Sequence, residues 1–430
     1  MNPLRFGIVV GTFLLAMLLY VDRILISVAK TDVGTALSLT DKQMGWALSI
    51  FSLGYALFQM PAGAAVDRYG ARRILALIVT IWSFLTVITG WAWNFFSLLV
   101  IRFLFGAGEA GAYPGINRVV FSWIPMRERG TVNGINFSAG RLGAAFALPM
   151  LAWLIQSVGW RESFGILGGV GLVWALGWYL WFRNEPTEHK SMTNNELDFI
   201  LKNRQQPTFA NYEKLPLSKL TQSRNMILLA SQYFASNFTF FFCLTWLFPH
   251  LKMRFQLDAV EAGFYAAVPL VFGALGNLVA GRMVDSLYRQ KRFSASRRMT
   301  AMVGFAIAAV GLLMSTFAQG ITEAVVFLSM AVFGADMTLS PSWATCSDIG
   351  GSHSGMVSGA MNMVGNIGAF LTALAFPYLQ AWTGSNEPFF YLGTFLNLLA
   401  VLMWLRIEPT KVLNERQDNT KKEPISGIKL

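Results

Sequence analysis

The chain has 430 residues, of which 54% are apolar and only 13% charged, with a mean hydropathy of +0.48. That balance excludes a freely soluble domain of this length and is that of a polytopic membrane protein. The net charge of +11 would suit a nucleic-acid binder, but the placement of the cations argues against one.

In chain order, apolar stretches broken by short polar turns run over 4–34, 44–66, 73–93, 96–124, 129–157, 163–183, 224–249, 260–284, 296–318, 320–347, 354–380 and 388–408. That is about twelve helices, each near or above the ~20 residues that cross a hydrocarbon core. The first stretch runs through a charged pair instead of ending at a small-residue cleavage site, so no cleavable leader is expected. With both termini placed in the cytoplasm, most Lys and Arg residues fall on cytoplasmic segments. Five fall outside (Lys30, Lys42, Arg161, Lys252, Arg254), and four lie within spans (Arg23, Arg102, Arg118, Arg141). This is the positive-inside bias, so the basic excess reports topology and no nucleic-acid partner is expected.

The organisation read from this pattern is a first six-helix bundle over 1–183, a linker over 184–223, a second bundle over 224–410 and a disordered cytoplasmic tail over 411–430. The linker contains Pro186, Pro207 and Pro216, and Thr193-Asn-Asn-Glu196 reads as a capping box opening a short helix along the membrane face. Cys243 and Cys346 fall inside spans as small apolar residues. His189, His250 and His353 are scattered, and no metal-ligand spacing, nucleophile motif or nucleotide fingerprint appears. No cofactor or metal site is expected.

The two halves echo one another. Gly130-Thr-Val132-Asn-Gly134, followed by Gly140-Arg141-Leu-Gly143-Ala144, is matched 225 residues later by Gly355-Met-Val357-Ser-Gly359, followed by Gly365-Asn366-Ile-Gly368-Ala369. Phe105-Gly106-Ala107 is echoed by Phe333-Gly334-Ala335, and Gly63-x-x-Val66-Asp67 by Gly281-x-x-Val284-Asp285. Ordered echoes of this kind predict duplicated halves that rock about a central site.

After the second stretch stands Gly63-Ala-Ala-Val66-Asp67-Arg68-Tyr-Gly70-Ala-Arg72-Arg73. It resembles the G-x-x-x-D-R-x-G-x-R-R signature of the major facilitator superfamily at every fixed position. The resemblance implies an all-α fold of twelve transmembrane helices in two six-helix halves. It also implies a gate made of Gly63, Asp67, Arg68, Gly70, Arg72 and Arg73, in which Asp67 meets the cytoplasmic start of the eleventh helix near Ser354 and Gly355. A carboxylate there is favoured by unsatisfied helix N–H groups.

Six ionisable residues sit inside apolar stretches of the first half: Asp22, Arg23, Arg102, Glu109, Arg118 and Arg141. A charge at the bilayer centre costs ~2.5–3.5 kcal/mol even on lenient scales, so such groups face a watery cavity or one another. Tyr20-Val-Asp22-Arg23, Gly54-Tyr55-x-x-x-Gln59-x-Pro61 and Arg102-x-x-x-Gly106-x-Gly108-Glu109 resemble the anion:cation symporter branch of the superfamily. That likeness implies Asp22 and Glu109 as the protonatable pair. It also implies Arg23 and Arg102 as groups that manage their charge or bind a substrate carboxylate. Arg102 and Glu109, seven residues apart, share a helix face about 10.5 Å apart along the axis.

Arg141 reads either as a carboxylate ligand in the cavity, since a guanidinium grips a carboxylate with two parallel hydrogen bonds, or as the permanent partner of Glu109. Arg102 is the other candidate partner of Glu109. The second half carries Asp336 as its exceptional charge, read as an acceptor for neighbouring helix ends. Its polar candidates are Asn237, Ser340, Trp343, Asn362 and Asn366, facing Tyr55 and Gln59 of the first half, with Phe241 as a further aromatic. The expected function is plasma-membrane import of a small organic anion by proton symport. The substrate expected is a sugar acid such as an aldonate, hexuronate or aldarate. An aromatic or dicarboxylic acid, or proton-independent anion exchange, stands beside it. A monomer in the lipid bilayer is expected, in the inner membrane if the source is a Gram-negative bacterium.

Overall fold

A computed structural model describes residues 3–205 and 215–413, which are helical almost throughout. The first half contains α1 (Pro3–Val28), α2 (Asp41–Tyr69), α3 (Ala71–Gly90), α4 (Phe95–Trp123), α5 (Arg129–Val158) and α6 (Trp160–Trp181). The second contains α7 (Arg224–Thr245), α8 (Ala259–Arg289), α9 (Phe293–Phe317), α10 (residues 321–350), α11 (Ser354–Thr383) and α12 (Glu387–Arg406). Ten helices are long and apolar enough to span a membrane, and α5, bent by 45°, adds another. The longest of the ten, the 63-residue run Ile321–Thr383, would be about 95 Å long if straight. It turns back through Gly351–His353 and so supplies both α10 and α11. Among the described residues the spans therefore number twelve.

The spans are apolar on the outside as well as inside. Leu77, Phe84 and Ile88 of α3 and Phe395, Leu398 and Leu402 of α12 are all well exposed on outer faces. In water such a surface would be a liability; in a bilayer it is the solvated face. Helix breaks also follow the duplication. α4 is interrupted at Ala110 and α10 at Thr338, an offset of 228 residues that also separates Phe105-Gly106-Ala107 from Phe333-Gly334-Ala335.

Within the halves α1 packs on α5, α2 on α4 and α3 on α6, repeated as α7 on α11, α8 on α10 and α9 on α12. The halves meet through α2 with α11 and α5 with α8. Of the echoed glycines, Gly63, Gly130, Gly134, Gly281, Gly355 and Gly359 lie at these two seams. A Cβ on Gly63 would strike the Gly355 carbonyl, one on Gly359 the Gln59 carbonyl, and one on Gly134 the Asn277 carbonyl. Backbone approach at that distance admits no side chain. Gly70, at φ +86°, turns α2 into α3 in a conformation that other residues rarely adopt.

The linker contains the expected helix, Asn194–Asn203, but only half of the expected capping box. The Thr193 hydroxyl accepts from the Glu196 N–H at 3.4 Å. The Glu196 carboxylate does not reach back; it accepts instead from the Arg5 backbone N–H at 3.2 Å, tying the linker to the start of α1. Of the region expected to be a disordered tail, residues 414–430 lie outside the described residues. Leu413, just before them, donates to the Ile349 carbonyl at 2.9 Å.

Candidate functional site

A cavity of about 40 Å³ lies between the halves, walled by α1, α2, α4 and α5 on one side and α7, α10 and α11 on the other. Of the residues singled out in the sequence, Arg23, Tyr55, Arg141, Asn237, Trp343, Asn362, Asn366 and Phe241 line it. Tyr20, Tyr113, Phe137, Tyr233 and Phe240 also line it and were not anticipated, because an aromatic in an apolar helix carries no sign of which face it occupies.

Three expected ligands lie elsewhere. Ser340 donates across the seam to the Gly130 carbonyl at 2.8 Å and is fully buried there. Gln59 is buried where its backbone meets Gly359. Arg102 stands behind the cavity wall, its guanidinium 5.2 Å from the Phe51 ring and 4.8 Å from the Phe105 ring. Polar character made each a plausible ligand; the depth of packing decided otherwise.

The charges pair differently from either sequence expectation. Glu109 is held by Arg23, whose Nε donates to Glu109 Oε2 at 2.6 Å, and not by Arg102 or Arg141. The Arg23 guanidinium also lies 4.3 Å from the Tyr55 ring, while its Nη2 makes no hydrogen bond of full geometry. Asp22, although adjacent to Arg23 in sequence, sits about 100° away around α1. There it lies beside the Trp82 indole, in the electrostatic field of Glu109 and Arg102. Asp22, Arg102 and Glu109 are all buried, so four alternating charges form one cluster behind the cavity, with Arg23 as its only member on the cavity wall.

Arg141 finds its acid in the other half. Its Nε and Nη2 donate to the two carboxylate oxygens of Asp336 at 2.8 and 2.7 Å, and its Nη1 donates to the Tyr20 hydroxyl at 2.9 Å. The guanidinium sits 3.4 Å from the centre of the Phe240 ring. Asp336 is therefore an ion-pair partner, where helix-end hydrogen bonds were expected. The room for its carboxylate comes from Gly273 of α8, where a Cβ would collide with it.

On the face that carries the termini, two carboxylates close the seams in the same way. Asp67 accepts from the N–H groups of Gly355 and Met356 at 3.0 and 2.7 Å, at the first turn of α11. Its duplicate, Asp285, accepts from Gly130 and Thr131 at 2.8 and 2.7 Å, at the first turn of α5. Each carboxylate satisfies N–H groups that a helix start leaves without partners. The contact of Asp67 with the start of the eleventh helix was legible from the motif.

The arginines of that motif do something else. Arg72 donates to the Tyr179 carbonyl at 2.8 Å within the first half, and Arg68 and Arg73 are exposed. The cations that cross the seam are Arg118 and Arg129, the latter sharing its acid with Arg297 of the second half. Arg118 donates to the Ser352 carbonyl at 3.0 Å, and Arg129 and Arg297 hold opposite oxygens of Asp348, each at 2.9 Å. Gln205 of the linker joins them, accepting from Arg129 at 3.0 Å and donating to the Asp348 carbonyl at 2.9 Å. Asp348 and Arg297 have no motif to flag them, and only their proximity in the fold reveals the cluster.

Two closed helix-start latches, a central cavity between duplicated six-helix halves and buried charges beside it are the features of a membrane carrier. Comparison with known proteins agrees. Residues 12–373 match the family model described as Major Facilitator Superfamily, and the chain belongs to that family. It is 32% identical to the probable sulfoacetate transporter SauU of Cupriavidus necator, over 89% of this chain and 89% of that one. It is 31% identical to the probable galactarate/D-glucarate transporter GudP of Escherichia coli K12, over 93% and 92% of the two chains. Its fold matches that of the proton:xylose symporter XylE with a TM-score of 0.73, at 16% identity over 95% of this chain and 96% of that one. The protein is thus a multi-pass membrane transporter of the anion:cation symporter branch, and not an enzyme.

Proposed function

We propose that this protein imports a small organic anion of the sugar-acid type together with protons, by alternating access, with both termini in the cytoplasm. The observation that carries this reading is Arg23, which lines the cavity while its Nε is bonded to buried Glu109. A carboxylate arriving in the cavity competes with Glu109 for that guanidinium. Glu109, losing its cation in a buried place, is then stabilised by taking up a proton, because burial disfavours an unpaired carboxylate. Loading is thereby coupled to protonation without leaving net charge in the wall. Asp22, in the field of Glu109 and Arg102, serves as the second proton carrier.

Neutral amides and hydroxyls at Asn237, Asn362, Asn366 and Tyr233 suit the hydroxyls of a sugar acid, and the Trp343 ring suits its carbon face. Support for the substrate class comes from the organic anions named for the relatives. With the Asp67 and Asp285 latches closed on the terminal face, this conformation is read as the one that receives substrate from outside.

The test is uptake into liposomes by wild type and Glu109→Gln, over a panel of sugar acids, with and without an inward proton gradient. Gradient-driven accumulation by wild type, lost in Glu109→Gln while exchange of loaded substrate persists, is the expected result. Equal transport by both proteins regardless of pH would make this an exchanger, with Glu109 a structural partner of Arg23.

A further inference from the structure

The cavity presents two arginines, and the second is not explained by the duplication. Arg141 stands where the other half has Asn366, and Asp336 stands where the first half has Gly108, so neither charge is inherited from the repeat. The buried Arg129–Asp348–Arg297 cluster shows what a purely bracing pair looks like here: it lies at the terminal face, away from the cavity. Arg141 instead lines the cavity, and its one nitrogen not engaged by Asp336 rests on the hydroxyl of Tyr20, which also lines it.

The two guanidiniums are mounted alike. Each is gripped at Nε by an acid absent from the cavity wall, Glu109 behind Arg23 and Asp336 behind Arg141, and each arginine lines the cavity. An acid behind and a cation in front fixes the donor fork while keeping each unit neutral when the carrier is empty.

We propose that Arg141, aimed by Asp336, is a second anion subsite, and that this carrier selects substrates with an acidic head at each end. One head binds Arg23, and the other takes the place of the Tyr20 hydroxyl at Arg141 Nη1. The neutral amides between them meet the hydroxylated middle of the substrate. Asp336 is a positioning residue in this arrangement, and Gly273 is the space it requires.

This rests on the organic-anion reading above, and the experiment separates the two. Binding of galactarate and of galactonate to the purified full chain is measured by calorimetry. The two probes share a carbon chain and differ in whether the far end is a carboxylate or a hydroxymethyl. Wild type is expected to prefer galactarate. Arg141→Gln alone would strand a buried carboxylate, so the informative protein is Arg141→Gln with Asp336→Asn, which removes both charges together.

The double variant is expected to lose roughly ten- to a hundred-fold in galactarate affinity, the range for one charge-assisted contact. Its galactonate affinity should fall by much less, since a contact to the missing head is not there to lose. No preference in wild type, an unchanged galactarate affinity in the double variant, or an equal loss for both probes would each overturn the second subsite. Wild type binding neither anion would overturn the organic-anion reading as well.

Discussion

At the scale of single residues, the arrangement of Arg23 makes a specific demand. The side chain bonds Glu109 through Nε while lining the cavity, and a lysine lacks the planar fork that allows both. Arg23→Lys keeps the charge but should weaken substrate binding by about ten-fold or more, measurable by calorimetry on the purified protein.

His250 gives an independent prediction outside the spans. It sits in the short helix Leu247–Phe255, ringed by Phe242, Phe376 and Phe390, and burial, aided by nearby Arg254, lowers its pKa to about 4. A histidine that titrates lower when folded stabilises the fold fully above its unfolded value, near 6.5, and loses that contribution as pH falls towards 4. The loss is at most about 3 kcal/mol. Thermal unfolding should therefore be less pH-dependent between those values in His250→Gln than in wild type.

At the scale of helices, the two seams are one device used twice. A carboxylate at the end of α2 or α8 meets the start of α11 or α5, and the glycines beside it let the backbones touch. The contribution of a carboxylate at a helix start is about 0.3–1 kcal/mol. Asp67→Asn should therefore shift the closed-to-open ratio at the terminal face by roughly two- to five-fold. Spin-label distances between the halves at that face report the ratio. Asp285→Asn should act similarly, and the two effects should add, because the seams share no partner. A bulkier change such as Gly359→Leu places a side chain against the Gln59 backbone and should open the seam further than the loss of either charge.

At the scale of the whole molecule, the cluster around Asp348 ties both halves and the linker into one unit. Removing its carboxylate leaves two buried guanidiniums, Arg129 and Arg297, without their acid. Asp348→Asn should cost about 3–5 kcal/mol of stability in this closed state, the usual penalty for breaking a buried ion pair from one side. Unfolding in detergent should show a lower midpoint, with a larger change than Asp67→Asn, because the amide replacing the Asp67 carboxylate still presents an oxygen to the helix start.

Span number, duplication and the family were legible in the chain because each depends on pattern along one dimension. A bilayer demands about 20 apolar residues per crossing, a duplication repeats its glycines at fixed offset, and a tight turn between two helices needs Gly70 and its neighbours in order. The contact of Asp67 with the start of α11 was legible for the same reason, since the motif carries its partner with it.

The pairing of charges was not. Asp22 and Arg23 are neighbours in sequence but sit about 100° apart around α1, so one faces Trp82 and the other reaches Glu109 and the cavity. Arg141 and Asp336 are 195 residues apart and meet only because α5 and α10 cross at the cavity. Ser340 and Gln59 carry polar groups suited to a ligand, yet the seam between the halves buries them. Composition and spacing determined that this chain crosses a membrane twelve times and carries buried charge. The tertiary structure alone decided which charges neutralise one another and which face the substrate, because Coulomb energy and desolvation depend on distances between helices that no spacing along the chain specifies.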